Sequence, residues 1–202
     1  MSGNHFINSV LNSPVDSTPW DHQIVHNSLP DGFFKKLQQE CDSLLTLDTQ
    51  GELYLIMPDQ LKTHGITLYD EIYDIAEHIY NNAKKLTKGL YYKPRWHTNR
   101  TVYAYISVTP PKPYRFEIHQ EKLSKFWSSV TYVCPEINVG TKMYETKDPK
   151  TFVKESTWHP NSTFVFCGKK GITWHSYESS ETSNRITLNF FLMDAQGGRY
   201  LI

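Results

Sequence analysis

The spacing of hydrophobic residues changes near residue 94, from a helical period of about 3.6 to the period of 2 that strands show. Before that point, two segments have helical spacing: residues 30–45, and a longer segment that ends at Gly89. In the longer segment Thr67 lies three residues before Asp70, so its hydroxyl group could cap the start of a helix. We therefore predict two helices in the first half of the chain, with Thr67 at the start of the second.

After residue 94, alternating apolar and polar positions predict a series of short strands. They cover residues 101–109, 115–121, 126–134, 141–144, 163–167, 172–176 and 185–193. Turn-forming Pro, Asn and Gly residues separate several of these strands. The pattern predicts a mainly β (α+β) fold: a double-stranded β-helix (jelly roll) with N-terminal helices packed on one sheet. We expect one domain, with a helix and strand flank (1–98), a jelly-roll core (99–194) and a short tail (195–202).

The composition of the 202 residues is that of a globular protein, with 39% hydrophobic and 21% charged residues. Lysine plus arginine equals aspartate plus glutamate, at 21 each, which disfavours general nucleic-acid binding. No apolar run approaches the ~18 residues of a membrane span, and the first residues show no signal-peptide pattern. Three widely spaced cysteines match neither a disulfide framework nor a zinc motif. We expect a cytoplasmic protein without a membrane partner.

Candidate metal ligands come from two predicted strands. His119 and Glu121 are two residues apart in the strand 115–121, so their side chains should point to the same face. His175 lies in the predicted strand 172–176 and could supply a second imidazole. Two histidines and one carboxylate, with coordination positions left open, form the facial triad of non-heme Fe(II) oxygenases.

Arg185 and Thr187 share the face of the last predicted strand that is opposite its apolar row. A guanidinium group can bind both oxygens of a carboxylate, and a threonine hydroxyl adds a further donor. Arg185 follows His175 by ten residues, so it could anchor the far carboxylate of a five-carbon 2-oxo diacid that chelates the iron.

These motifs resemble those of the Fe(II)- and 2-oxoglutarate-dependent dioxygenase superfamily. The chain is most similar to small bacterial and phage-encoded members that are related to the prolyl-hydroxylase branch, and the likeness covers roughly residues 103–193. Five motifs carry it: His119-Gln120-Glu121, Val139-Gly140-Thr141-Lys142-Met143-Tyr144, Trp158-His159-Pro160-Asn161, Thr173-Trp174-His175-Ser176 and Asn184-Arg185-Ile186-Thr187-Leu188. For a phage-encoded member, the expected location is the cytoplasm of the host.

The resemblance implies that His119, Glu121 and His175 bind Fe(II), and that Arg185 and Thr187 bind the C5 carboxylate of 2-oxoglutarate. It further implies a tyrosine contact to this co-substrate, which Tyr103 or Tyr105 could provide. The activity implied is oxidation by O2 of an unactivated C–H bond in a small molecule or peptide side chain, with release of succinate and CO2.

Two residues differ from the usual family pattern. The family usually has aspartate where this chain has Glu121, and prolyl hydroxylases usually have lysine where it has Arg185. Proline is therefore not carried over as the substrate.

Two other classes of function are compatible with the same residues. One is a non-catalytic, cupin-like jelly-roll module that binds a partner or has a structural role. The other is a zinc hydrolase that uses His119, Glu121 and either His159 or His175. Arg185 argues against the hydrolase, because hydrolysis needs no diacid anchor. His97 is a further candidate histidine that could line the mouth of the site.

Overall fold

The computed structural model describes residues 2–92, 100–122, 124–179 and 181–194. Three α-helices are present in these ranges: α1 (Ser2–Asn12), α2 (Asp31–Glu40) and α3 (Tyr69–Gly89). Short 3-10 helices occupy Asp42–Thr46, Pro58–His64 and Pro149–Thr151. The strands are β1 (His22–Val25), β2 (Tyr54–Ile56), β3 (Arg100–Thr109), β4 (Arg115–His119), β5 (Lys125–Cys134), β6 (Lys142–Tyr144), β7 (Phe152–Glu155), β8 (Thr163–Phe166), β9 (Trp174–Glu178) and β10 (Arg185–Asp194).

The strands form two antiparallel sheets. The larger sheet has the order β1-β8-β5-β10-β3-β2, and the smaller has the order β4-β9-β6-β7. Helices α2 and α3 contact the larger sheet, and α1 packs against α3. This arrangement confirms the predicted mainly β jelly roll with helices on one sheet.

The larger sheet buries a different kind of residue on each face. On its outer face the even-numbered residues of β10, such as Leu188 and Phe190, join residues of α3, such as Ile75 and Ile79, in the main hydrophobic core. A second core joins Tyr132, Phe164 and Phe166 of the larger sheet to Met143 of the smaller one, and so lies between the sheets. The odd-numbered residues of β10 face this inner space.

Several local predictions need correction. The predicted helix 30–45 is broken into α2 and a 3-10 helix at Cys41. Thr67 does not cap α3, because its N–H and hydroxyl groups both donate to the Glu40 carboxylate (2.8 and 2.6 Å) and the helix begins only after Leu68. Helix α1 and the short strands β1, β2 and β7 were not predicted.

The proposed tail, residues 195–202, and the boundary near residue 98 lie outside the described residues. None of the helices in the described ranges has the length and apolar composition needed to cross a bilayer.

Candidate metal centre

His119 and His175 face each other across the β4–β9 strand pair. They are direct register partners, and their ring centroids are 4.2 Å apart. Glu121 joins them: each of the three residues offers one ligand atom, and these atoms all lie within 4.8 Å of one another. The structure thus brings together the three side chains that the sequence suggested as metal ligands.

Glu121 reaches this cluster from a loop, not from a strand as predicted. Strand β4 ends at His119, and Glu121 would lie opposite Thr173, which precedes β9. The N–H groups of Ile172 and Thr173 both donate to the Lys169 carbonyl oxygen (3.1 Å each), so the N–H group of Thr173 is not available for a ladder. Alternation along a strand therefore does not explain the position of Glu121.

Both imidazoles are oriented by the backbone of their own strands. His119 Nδ1 donates to the Glu117 carbonyl oxygen, and His175 Nδ1 donates to the Thr173 carbonyl oxygen, each at 2.9 Å. A carbonyl oxygen can only accept, so the hydrogen of each neutral ring is on Nδ1 and the lone pair is on Nε2. This is how the outer partner of a metal-binding histidine fixes its tautomer.

His175 is held in its neutral form. Its pKa is lowered to about 4, first because the ring is buried and second because His119 lies beside it. A neutral imidazole is the form that binds a metal, so His175 requires no deprotonation at pH 7.

The two carboxylate oxygens of Glu121 face different groups. Its Oε1 lies 3.9 Å from His175 Nε2, and its Oε2 accepts from the Lys125 ammonium group at 2.7 Å. Lys125 was not predicted as part of the site, because it begins β5 and is separated from Glu121 by a turn that has no predictable period.

Arg185 is buried between the two sheets among aromatic rings. Its guanidinium carbon lies 4.2 Å from the Tyr177 ring centroid, 5.2 Å from that of Trp158 and 5.4 Å from that of Tyr132. Within the described part of the chain its Nε has no hydrogen-bond partner, and no carboxylate forms an ion pair with the group. A buried cation without an anion is costly, so an incoming carboxylate would satisfy it.

Tyr177 lies in the same strand as His175 and also contacts Arg185. It follows His175 by two residues in β9, so it has the same face and lies about 6.6 Å further along the strand. The guanidinium group contacts Tyr177, so it lies beside a side chain that is two residues along β9 from His175.

Thr187 belongs to a buried hydrogen-bond network on the inner face of the larger sheet. Its hydroxyl group lies 2.7 Å from Ser107 Oγ and accepts from Asn189 Nδ2 at 3.0 Å. Asn189 Nδ2 also donates to Ser107 Oγ at 3.0 Å. Asn189 and Ser107 were not singled out in the sequence, where they are ordinary polar residues of alternating strands.

Tyr103 and Tyr105 lie opposite Phe191 and Asn189 of β10. Along the strands, the backbone positions of these two tyrosines are therefore at least four residues, or about 13 Å, from that of Arg185. Burial is the larger cause, and the negative charge of Glu121 the smaller, of the raised pKa of Tyr105. The tyrosines that contact the guanidinium group are Tyr132 and Tyr177.

The alternative ligand His159 lies apart from this cluster. Its ring packs edge-on against His26, with centroids 6.1 Å apart, and its Nδ1 donates to the Pro160 carbonyl oxygen. Among the described residues, the candidate metal-binding group consists of His119, Glu121 and His175 alone. His97 lies outside those residues.

The residues present fit an Fe(II) ion and a 2-oxo diacid. Two imidazoles and one carboxylate, brought to one side by a strand pair and a loop, are the donor set of the facial triad. The Arg185 guanidinium group, which has no carboxylate partner among the described residues, supplies the charge that a second carboxylate of the diacid requires.

Comparisons with known proteins agree with this fold. The sequence matches no protein-family model and no curated protein. Two similar solved structures are prolyl hydroxylases. One, from Trichoplax adhaerens and in complex with a hypoxia inducible factor peptide fragment, has a TM-score of 0.60 at 12% identity, covering 98% of this chain and 93% of that one. The other, a Pseudomonas putida prolyl-4-hydroxylase, has a TM-score of 0.58 at 13% identity, covering 96% and 99%.

A third similar structure is that of an enzyme that catalyses a different type of reaction. It is a non-heme alpha-ketoglutarate dependent epimerase from nogalamycin biosynthesis, with a TM-score of 0.56 at 12% identity, covering 86% of this chain and 76% of that one. These likenesses show that the chain has the same double-stranded β-helix fold as these three enzymes.

Proposed function

We propose that this chain, which has the fold of the Fe(II)- and 2-oxoglutarate-dependent oxygenases, is itself such a dioxygenase. The reaction we propose is hydroxylation of an unactivated C–H bond in a small molecule or a peptide side chain, with release of succinate and CO2. One observation carries the proposal: three side chains that could bind a metal ion, and a buried guanidinium group with no ion-pair partner among the described residues, lie between the same two sheets.

His119, Glu121 and His175 would hold Fe(II) through two Nε2 atoms and a carboxylate oxygen, leaving one side of the ion open for ligands. Arg185 would bind the far carboxylate of 2-oxoglutarate, and Thr187 would line the same surface. When bound, the iron and 2-oxoglutarate supply the oxidising power, by coupling the reduction of O2 to decarboxylation.

The contribution of the protein is orientation and the exclusion of water. Tyr132, Tyr177 and Trp158 surround the guanidinium group of Arg185 and exclude water from it, which strengthens its attraction for a carboxylate. The hydrogen bonds from Nδ1 of His119 and His175 to backbone carbonyl oxygens set the direction of both lone pairs before a metal binds.

The buried arginine is also what favours an oxygenase over the two alternatives. A zinc hydrolase needs an activated water but no second carboxylate site. A non-catalytic jelly-roll module would have no use for an isolated cation between its sheets, where it is costly.

Anaerobic spectroscopy tests the proposal. Fe(II) is added to the purified protein without oxygen, followed by 2-oxoglutarate, and the weak visible metal-to-ligand charge-transfer band is recorded. We expect the band with the wild-type chain, its loss in His175→Ala, and no change in His159→Ala, a matched histidine outside the cluster. Absence of the band in the wild type, or its persistence in His175→Ala, would refute the assignment.

The role of Arg185 has a separate readout in the same assay. Arg185→Met keeps an unbranched apolar stem but removes the guanidinium group, so we expect the 2-oxoglutarate concentration at half-maximal band intensity to rise about 30-fold or more. Candidate substrates, among them free amino acids, peptides, nucleobases and small metabolites, can then be screened for stimulated succinate formation.

A further inference from the structure

The carboxylate of Glu121 is held by Lys125 on the side away from the histidines. The Lys125 ammonium group donates to Oε2 at 2.7 Å, whereas Oε1 is the oxygen that faces His175. Only 9% of the Glu121 side chain and 21% of the Lys125 side chain are exposed, so water competes little for this pair. The two oxygens therefore have separate partners.

Lys125 is itself fixed in place. It is the first residue of β5, its N–H donates to the Lys122 carbonyl oxygen at 2.8 Å, and it pairs in register with Met193. Its ammonium group lies 3.9 Å from the centroid of the Phe191 ring, a cation–π contact. Such a lysine can hold another side chain, whereas a mobile surface lysine cannot.

The absence of a side chain at residue 168 allows this close arrangement. A Cβ atom at Gly168 would lie 2.8 Å from the Lys125 carbonyl oxygen and 3.1 Å from Glu121 Cβ. The Lys125 backbone and the Glu121 side chain are therefore both packed against residue 168.

These contacts address a problem that the length of glutamate creates. Glu121 has one rotatable bond more than an aspartate and lies in a loop, so an unrestrained side chain could turn away or offer both oxygens to a metal. With Oε2 held by Lys125, only Oε1 is presented to the histidines.

We propose that Lys125 is a positioning residue that makes Glu121 a one-oxygen metal ligand. The inference rests on the proposed iron site and adds to it the residue that allows glutamate to replace aspartate. Lys125 acts through Glu121 and needs no contact with the metal, the co-substrate or the substrate.

The direction of the effect on metal affinity distinguishes positioning from simple electrostatics. Lys125 carries a positive charge near a site for a divalent cation, so Coulomb repulsion alone predicts that removing it tightens metal binding. If Lys125 positions the ligand, its removal weakens binding, because an outer partner of a metal ligand typically contributes 10- to 100-fold to affinity.

The experiment uses Co(II) as a probe that is stable in air. The affinity of the full chain for Co(II) is measured by visible absorption titration, and thermal melting in a chelator checks that each variant folds. We expect Lys125→Met to bind Co(II) about tenfold or more weakly, with an altered d–d spectrum because the freed carboxylate can bind through both oxygens. Lys125→Arg, which keeps a charged donor, should recover most of the affinity.

Lys142→Met is the matched control. Lys142 also forms a 2.7 Å ion pair, with Glu178, and is similarly exposed at 26%, but Glu178 does not belong to the metal-binding group. Its Co(II) affinity should equal that of the wild type within about twofold, because an exposed pair of this kind contributes little.

Each outcome has a distinct meaning. If the wild type binds Co(II) and Lys125→Met binds it equally or more tightly, the positioning role is refuted while the proposed iron site stands. If the wild type does not bind Co(II), both proposals fail. Should Lys125→Met not fold, Lys125→Gln replaces it and is judged by the same affinity criterion.

Discussion

The close packing at Gly168 leads to a quantitative prediction about the variant Gly168→Ala. The added Cβ would lie 2.8 Å from the Lys125 carbonyl oxygen, whereas ordinary contact begins at 3.4 Å, so residue 168 and the start of β5 must separate by about 0.6 Å. Overpacking of this kind costs about 1–3 kcal/mol, and the reduced freedom of the unfolded chain returns about 0.4–1 kcal/mol. We expect a net loss of about 1–2 kcal/mol in the free energy of unfolding.

The assay is thermal unfolding in a chelator, followed by Co(II) titration. For a chain of this length, 1 kcal/mol corresponds to about 2–4 °C, so the melting temperature should fall by about 2–8 °C. The affinity for Co(II) should fall as well, because the atoms displaced belong to Glu121 and Lys125.

Gly32→Ala is the control for this substitution. Gly32 lies in α2, and a Cβ there would meet no atom within 4 Å. The alanine should not lower the free energy of unfolding and should raise it by at most about 0.5–1 kcal/mol, because glycine is unfavourable in a helix and Gly32 lies in the first turn. If Gly168→Ala instead melts at or above the wild-type temperature and binds Co(II) normally, the packing argument is wrong.

Three further predictions concern the core, a buried loop and the metal. Phe190→Ala should lower the free energy of unfolding, measured by chemical denaturation, by about 3–5 kcal/mol, because Phe190 is fully buried against Phe6. A loss below about 1 kcal/mol would contradict its place in the core. Asn161→Ala should lower the free energy of unfolding by about 2–3 kcal/mol, because the side-chain amide hydrogen-bonds to both the N–H group and the carbonyl oxygen of Leu29, and because the residue has a φ of 63°. Asn161→Gly should lower it less, because glycine adopts a positive φ without strain. Co(II) at a hundred times its Kd should add about 2.7 kcal/mol to the stability of the wild type, and a chelator should remove this gain.

The sequence predicted the long strands well and the short elements poorly. In β3 and β10 ten residues alternate between an apolar row and a polar or aromatic row, so both the element and its faces are visible in the pattern. Strands β1, β2 and β7 have only three or four residues, too few for alternation to be distinguished from chance. Strands β1 and β2 are positioned by pairing with β8 and β3, which are distant in sequence, and β7 by pairing with its neighbour β6.

The candidate site could be predicted only in part. The residue types His119, Glu121 and His175 suggested a metal site, but their convergence depends on the pairing of residue 119 with residue 175, a register that no local pattern reveals. The partnership of Lys125 with Glu121 was not predictable either, since it arises from a turn whose shape depends on packing against residue 168.

Alternate residues of β10 have two separate roles, and this restricts changes in the number of residues in the strand. Its even-numbered residues hold the helices, and its odd-numbered residues, Arg185 among them, line the inner space. Deleting one residue before Arg185 and shifting the strand by one place would turn the guanidinium toward the helices and Ile186 toward the inner space. Because β3 and β5 pair with β10 on both sides, neither neighbour can follow such a slip independently. Additions and losses of residues should therefore be tolerated in the connecting loops, while a change of parity within this strand should abolish folding and activity together.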